Sequence, residues 1–296
     1  MKPYCLIINP TAGRGRAAGI GNRLENKLRE ENILFHSFYT EGEGDGERRA
    51  RGINPEKYSR ICVVGGDGTL QEVVRGLKTP MPPLAIFPGG TGNDVARLLG
   101  ITGEDEAWKT AAFGRVRHMD LGMASGTPFV NMFSLGFDAA IAHQANLWKH
   151  KLPANLLYPL ALVKTLFSFK APTVRLTFEN QQGETVVREE AVMLVAVCNG
   201  SHYGGGMNIN PEADPFDGWL ELCVVQKMSK VKLLALFPTI YKGTHLKYKE
   251  VSLQRVRRAV LKSDEMLMVN RDGEAHRGKE GDISVIPGRL PVMFPE

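Results

Sequence analysis

The chain has 296 residues, 43% hydrophobic and 23% charged, a balance that suits a globular protein and argues against long disorder or a fibrous repeat. Its 37 Lys and Arg exceed its 32 Asp and Glu by five, too small an excess to imply a nucleic-acid binder, though it tolerates anionic substrates or an anionic membrane surface. The length suggests about two domains.

Cys5, Cys62, Cys198 and Cys223 each sit in an apolar run and form no CxxC pair, so they read as buried free thiols rather than a zinc or redox site. The first apolar run is too short for a signal-peptide core, and the longest, 156–169, contains Lys164 and falls short of the ~20 residues a spanning helix needs. The expectation is a cytoplasmic protein that touches a membrane at most peripherally, during turnover.

In chain order, residues 4–9 read as a strand, followed by a Gly-rich loop and a helix over 17–32. A second strand spans 34–39. A third, 60–64, runs into Gly-Gly-Asp-Gly and a helix over 70–77. A fourth, 84–87, runs into Pro-Gly-Gly and a helix over 93–99. This alternation predicts an α/β domain with a parallel sheet over residues 1–120. Beyond about residue 117 strand-like runs dominate (174–178, 192–197, 220–225), which predicts a mostly antiparallel β domain over 121–287, interrupted by helices near 155–169 and 231–241. Residues 288–296 form a last strand able to return to the first domain.

Three strand-to-helix loops are rich in glycine. Asn9-Pro10-Thr11-Ala12-Gly13-Arg14-Gly15-Arg16 sits where backbone N–H groups and a helix dipole favour anions. Its glycine spacing misses the dinucleotide fingerprint by one residue, no P-loop pattern exists, and alone it is equally an ordinary turn. Gly65-Gly66-Asp67-Gly68-Thr69-Leu70 lets the backbone approach a ligand, and Asp67, at the carboxyl end of a strand, suggests a Mg²⁺ counter-cation. Glu72, one turn on, is placed to steady the loop. Pro88-Gly89-Gly90-Thr91-Gly92-Asn93-Asp94 repeats the arrangement with a second carboxylate.

Three further segments carry candidate chemistry. Asp272 and Glu274 flank Gly273, and in an extended chain both would point to one face as candidate bases for a hydroxyl. Read alone, that segment favours an Asp-Gly hairpin turn. Asp214 and Asp217 precede an apolar strand and offer oxygen ligands or a plain turn. The apolar face of 155–169 is core, or the wall of an acyl-chain pocket, or a membrane-docking face; Lys149, His150 and Lys151, and Arg255, Arg257 and Arg258, could meet headgroups or be solvated surface. The histidines show no metal spacing, and no G-x-S-x-G elbow is present.

GGDGTLQEVVRGL (65–77) with PGGTGNDVARLLG (88–100) resembles the diacylglycerol-kinase catalytic domain, the group of soluble bacterial lipid kinases and sphingosine kinases. INPTAGRGRA upstream, Thr40, LGFDAAIA (135–142), NGSHYGGGMNINPEADPFDGWLEL (199–222) and NRDGE (270–274) are similar to its remaining elements in order, so the likeness covers nearly the whole chain. GGDGT alone also marks NAD kinases. The resemblance implies an NAD-kinase/diacylglycerol-kinase-like α/β domain and a β-rich lipid-substrate domain with the active-site cleft between them. It implies ATP on Asn9, Pro10, Thr11, Ala12, Gly13, Thr40, Gly65 to Leu70 and Thr91. Asp272 and Glu274 take the catalytic-loop positions, Asp67 and Asp94 a Mg²⁺ network, and Asp214, Asp217 and the Trp219 carbonyl a second, structural Mg²⁺ site. The implied reaction is phosphoryl transfer from ATP to a lipid alcohol, diacylglycerol above all. The rivals are an NAD-kinase-like enzyme acting on a soluble alcohol and a nucleotide-binding regulator without catalysis. No nucleic-acid partner is expected, and homo-oligomerisation stays open.

Overall fold

In the computed structural model of the chain, which describes residues 2–148 and 154–296, the apolar runs of the first third become strands because helices cover them. The order is β1 (Tyr4–Ile8), α1 (Arg16–Glu30), β2 (Phe35–Tyr39), α2 (Asp45–Arg51), β3 (Arg60–Gly65), α3 (Asp67–Gly76), β4 (Leu84–Pro88), α4 (Asp94–Leu98) and α5 (Glu104–Phe113). β1 pairs parallel with β2 and β3, and β3 with β4, giving the order β4-β3-β1-β2. β1 and β3 lie inside the sheet, and Leu6, Ile7, Ile8, Ile61, Val63 and Val64 are buried, as continuous apolar strands between covered faces must be. β2 is an edge strand and only half covered.

Two helices here are not among the expected elements: α2 has a single apolar residue, Ala50, and three of the five apolar residues of α5 are alanines. α2 (DGERRAR) and α5 (EDEAWKTAAF) do have acidic first turns, which suit the positive end of a helix dipole. α3 begins at Asp67 rather than 70, because Gly66 is extended and serves as the N-cap. Most of the second glycine loop is therefore the first turn of a helix.

Met1–Leu121 with Pro287–Glu296 forms one compact unit, and Gly122–Ile286 another. The chain passes between them along β5 (Arg115–Ala124) and returns along the last strand. The second unit continues with β6 (Thr127–Phe129), β7 (Met132–Gly136), α6 (Phe137–Trp148), α7 (Ala154–Ser168), β8 (Thr173–Glu179) and β9 (Thr185–Cys198). Then come β10 (His202–Tyr203), β11 (Met207–Asn208), β12 (Leu220–Gln226), α8 (Lys230–Ile240), β13 (Val251–Val256), β14 (Arg258–Arg271) and β15 (Glu274–Phe294). The end of β15 sets Val292 parallel to Leu84 in the first unit. The cluster Lys149, His150 and Lys151 lies outside the described residues.

In the second unit β9 pairs antiparallel with β7, β8 and β12, and β14 with β7 and β8. Alternation along the strands makes two cores. Leu220, Leu222 and Val224 of β12 join one, with Phe133, Leu176 and Leu261. Cys223 and Val225 join the other, which α7 and α8 close with Ala161, Leu166, Leu233, Leu236 and Ile240. All four cysteines are free and buried, and burial pushes the Cys5 and Cys223 thiols up to about 12.

Gly76 shows how tightly α2 and α3 meet: a Cβ there would lie 2.2 Å from the Glu47 carbonyl oxygen and 2.8 Å from the Ala50 Cβ. Gly76→Ala should therefore destabilise the protein by ~1–3 kcal/mol despite alanine's better helix propensity. Urea denaturation checks this, and unchanged or raised stability would show that the helices separate at little cost.

Candidate active site

The three glycine loops of the first unit interlock backbone to backbone. The amides of Gly89 and Gly90 both donate to the Gly65 carbonyl, at 2.7 and 3.2 Å. A Cβ on Gly13 would lie 2.1 Å from the Gly89 oxygen, one on Gly90 2.4 Å from the Gly66 Cα, and one on Gly89 2.6 Å from the Ala17 Cβ. Gly13 also has φ +60, as do Arg14 (+59) and Gly15 (+89) beside it, which swings the chain into α1. Arg16 donates to the Gly90 carbonyl, joining the first loop to the third.

Side chains complete the lock. The Asn9 amide donates to Thr69 Oγ1 at 3.0 Å, and Asn9 Oδ1 accepts from the Thr11 amide and hydroxyl. Asn93, with φ +53, exchanges hydrogen bonds with the amide and carbonyl of Gly90. Thr40 is buried and its amide donates to the Ile8 carbonyl. Ala12 donates to the Asn9 carbonyl, Pro10 follows the end of β1, Leu70 is buried in α3, and Thr91 is exposed. Glu72 steadies a different segment from the one expected: its two oxygens accept the amides of Gly44 and Gly46, each at 2.9 Å, before and inside α2.

Asp67 and Asp94 come together. Asp67 Oδ1 accepts the Val95 amide at 3.1 Å. Burial pushes its carboxyl up, the backbone amides of Val95 and Asp94 oppose that, and the neighbouring Asp94 charge adds to it. Asp94 is buried and paired with Arg97 at 2.5 Å. Two neighbouring carboxylates fit a divalent cation held partly by water and phosphate oxygens, the usual mode for Mg²⁺. Gly15 and Gly68 face open space, so backbone at the starts of α1 and α3 is accessible to an anionic group.

In the second unit Arg271 pairs with Glu274, so Asp272-Gly273 is a two-residue hairpin turn with φ +45 and +95. The Asp-Gly hairpin turn that this segment favours by itself is the one that forms, and the extended alternative, with Asp272 and Glu274 on one face, does not: consecutive positive φ values turn the chain between them. Asp272 turns inward onto the β6–β7 connection. Its Oδ2 accepts the Val130 amide at 2.6 Å, and Oδ1 accepts those of Asn131 and Met132 at 3.0 and 2.7 Å. Its own amide donates to the Met132 carbonyl. Three amide donors fix the carboxylate's position and orientation.

Three residues behind this turn escaped the sequence reading. Buried Asn270 accepts the Gly273 amide at 2.9 Å and hydrogen-bonds Asp138. Asp138 accepts the Ser134 hydroxyl at 2.5 Å, and burial pushes its carboxyl up to about 6. LGFDAAIA contained Asp138, but a polar residue in an apolar run gives no hint of its partner 132 positions away.

Asp214 and Asp217 shape a turn. Asp214 Oδ1 accepts the Phe216 amide at 3.1 Å, and Asp217 Oδ1 the Trp219 amide at 2.9 Å. Asp217 Oδ2 is paired with Arg255, whose Nε also lies 3.3 Å from buried Glu221. Burial pushes Glu221 up to about 7. Among the described residues no group of three or more His, Cys, Asp or Glu could hold a metal. In this turn Arg255 occupies Asp217 Oδ2, and one oxygen of each aspartate accepts a backbone amide.

Residues 3–124 match the family model described as the diacylglycerol kinase catalytic domain. Residues 131–294, more than half of the chain, match that of the YegS C-terminal NAD kinase beta sandwich-like domain. A diacylglycerol kinase of Mycobacterium tuberculosis (strain ATCC 25618 / H37Rv) is 28% identical over 98% of this chain and 94% of its own. One of Bacillus subtilis (strain 168) is 26% identical over 100% and 97%. Two solved structures from Bacillus anthracis str. Sterne each cover 99% of this chain and 97% of theirs. One has a TM-score of 0.80 at 26% identity; the other, a diacylglycerol kinase by name, has 0.72 at 23% and shares the fold. The chain, with the interlocked loops in its first unit and the hairpin carboxylate in its second, belongs to the diacylglycerol-kinase-like (YegS) family of lipid kinases.

Proposed function

We propose that this kinase transfers the γ-phosphoryl group of ATP to the hydroxyl of diacylglycerol, giving phosphatidic acid, in a Mg²⁺-dependent reaction. The observation that carries the reading is the loop lock of the first unit, in which glycine contacts hold the accessible starts of α1 and α3 in place for a polyphosphate. The relatives named diacylglycerol kinase, aligned along nearly their full lengths, support the acceptor.

When bound, ATP with its Mg²⁺ supplies an activated phosphoryl group whose charge is partly neutralised. Asp67 and Asp94 would hold the cation. Backbone amides at the start of α1 and α3, with Asn9, Thr11, Thr40, Thr69 and Thr91, orient the phosphates and ribose. Asp272 takes the proton of the acceptor hydroxyl on Oδ2, the oxygen that carries one amide bond rather than two. Asn270 holds the turn, and Asp138 and Ser134 back it. The β-rich unit offers the apolar surface for acyl chains. Contact with the bilayer during turnover belongs to the same reading.

The first test offers γ-labelled ATP with diacylglycerol, a sphingoid base and other lipid alcohols in mixed micelles, and NAD in a parallel tube. Label in diacylglycerol that is lost on chelation supports the proposal; label in NAD alone moves the activity to a soluble alcohol. Asp272→Asn should lower turnover by ~10²–10⁴-fold while leaving nucleotide binding intact. It should also cost ~1–3 kcal/mol of stability, because an amide cannot accept all three N–H groups. Full turnover in this variant would remove Asp272 from the chemistry.

Gly68→Ala places a methyl in open space within α3, so stability should rise by up to about 1 kcal/mol while the KM for ATP increases. An unchanged KM would show that nucleotide does not approach this turn.

Asp138 is raised from its ordinary 3.8 to about 6 in the folded chain, so the native state binds the extra proton between these values. Its contribution is therefore most favourable below about pH 4 and is lost as pH rises through 6, by an amount on the order of 3 kcal/mol. Asp138→Asn should flatten this part of the stability–pH profile, measured by chemical denaturation. An unaltered profile would contradict the burial of this charge.

A further inference from the structure

Helix α3 carries two pairs of residues four apart, and the pairs face different ways. Glu72 and Gly76 turn to α2: the Glu72 carboxylate accepts the Gly44 and Gly46 amides, and Gly76 meets the Glu47 carbonyl. Asp67 and Gln71 lie about 40° apart round the helix, and about 100° or more from that pair. Theirs is the side on which Asp67 Oδ1 accepts the Val95 amide of α4. Helical side chains lean towards the N-terminus, so the Gln71 amide is carried back over the turn that Asp67 begins.

Gln71 is 1% exposed, and neither its Oε1 nor its Nε2 has a hydrogen-bond partner among the described residues. Other buried amides keep at least the NH₂ bonded: Asn131 donates to the His202 carbonyl at 2.7 Å, and Asn199 to that of Val130 at 2.9 Å. A carboxamide with neither bond is costly in a core, whereas an apolar side chain of the same length fills the same space without that cost. The helix accepts such residues on either side of it, since Leu70, Val73 and Val74 are all buried. Gln71 therefore calls for a partner that both donates and accepts, and water does both. It stands one turn from Asp67, which with Asp94 fits a cation. Mg²⁺ gives up its waters reluctantly, so part of its shell is water wherever it binds.

We propose that Gln71 is a positioning residue of the cation site, its amide holding a water molecule in the shell of the cation bound by Asp67 and Asp94. The carboxylates supply charge. The amide fixes one water, and hence one direction of the shell, without adding a third negative charge beside a polyphosphate. This rests on the reading of Asp67 and Asp94 as the cation's carboxylates and adds a neutral residue to them.

The test is titration of the nucleotide-free, full-length protein with Mn²⁺, which takes the same oxygen ligands, with free Mn²⁺ read by electron paramagnetic resonance. Asp67→Asn marks the part of the binding that belongs to this site. Gln71→Met should weaken that part about tenfold or more. It should also raise the melting temperature of the cation-free protein by about 2–4 °C, because it removes the unbonded amide. Gln71→Glu keeps an oxygen at the same reach and should bind Mn²⁺ at least as tightly as the wild type. In the kinase assay Gln71→Met should need about tenfold more Mg²⁺ for half-maximal turnover, and recover turnover at high Mg²⁺. Unchanged Mn²⁺ affinity in Gln71→Met, with the Asp67→Asn loss intact, would overturn the role of Gln71 and keep the cation site. Binding to Asp67→Asn as tight as to the wild type would overturn the cation site and the role of Gln71 with it. A folded Gln71→Glu that loses as much affinity as Gln71→Met would assign the loss to packing and overturn the role. A lowered melting temperature in cation-free Gln71→Met would show the amide bonded within the protein, and overturn it as well.

Discussion

The first unit depends on the closeness of three loops whose glycines leave no room for a Cβ where their backbones touch. Gly13, Gly66, Gly89 and Gly90 approach one another at distances that a single methyl group would violate, and two of their amides share the Gly65 carbonyl. That contact sets the ends of β1, β3 and β4 side by side and fixes where α1 and α3 begin. With the backbone packed on itself in this way, the donors at the helix starts are held before any ligand arrives, so little ordering entropy is left to lose on binding.

The second unit uses a carboxylate for a comparable purpose. Asp272 takes three amides of the β6–β7 connection from a turn in which φ is positive at two successive residues. Asp, like Asn, tolerates the left-handed region better than most side chains, and the three amide bonds fix which way its carboxylate points. Asn270, Asp138 and Ser134 extend the support inward from the turn. The same bonds that bring Asp272 to a defined position limit how its oxygens can act, which directs attention to Oδ2.

At Asp217 a guanidinium stands where oxygen ligands alone suggest a metal. Arg255 bridges Asp217 and Glu221, and its partners are brought together by β12 lying antiparallel to β13 in the register that sets Glu221 opposite Arg255. Spacing in the sequence shows two carboxylates and a turn, whereas cross-strand pairing supplies the cation.

The sequence by itself determined the local events: the four parallel strands and the cores of β8, β9 and β12 (though not β5, β7, β13 or β14), where glycine is dense, that four cysteines lie in apolar surroundings, and the ordered segments of the lipid-kinase family. These follow from short-range periodicity and from residue types whose backbone freedom is intrinsic. α2, α5 and α6 were not read as helices: α2 has one apolar residue, and half or more of the apolar residues of α5 and α6 are alanines, which mark no clear face. Only the tertiary structure decided that the Gly-Gly-Asp-Gly segment starts a helix, that Glu72 serves the start of α2, that Asp272 faces inward onto three amides, and that Asp138 lies behind it. Each of these depends on partners tens to more than a hundred residues away, and a hydrogen bond or a buried charge is specified by the distance between groups in space, which no local pattern contains.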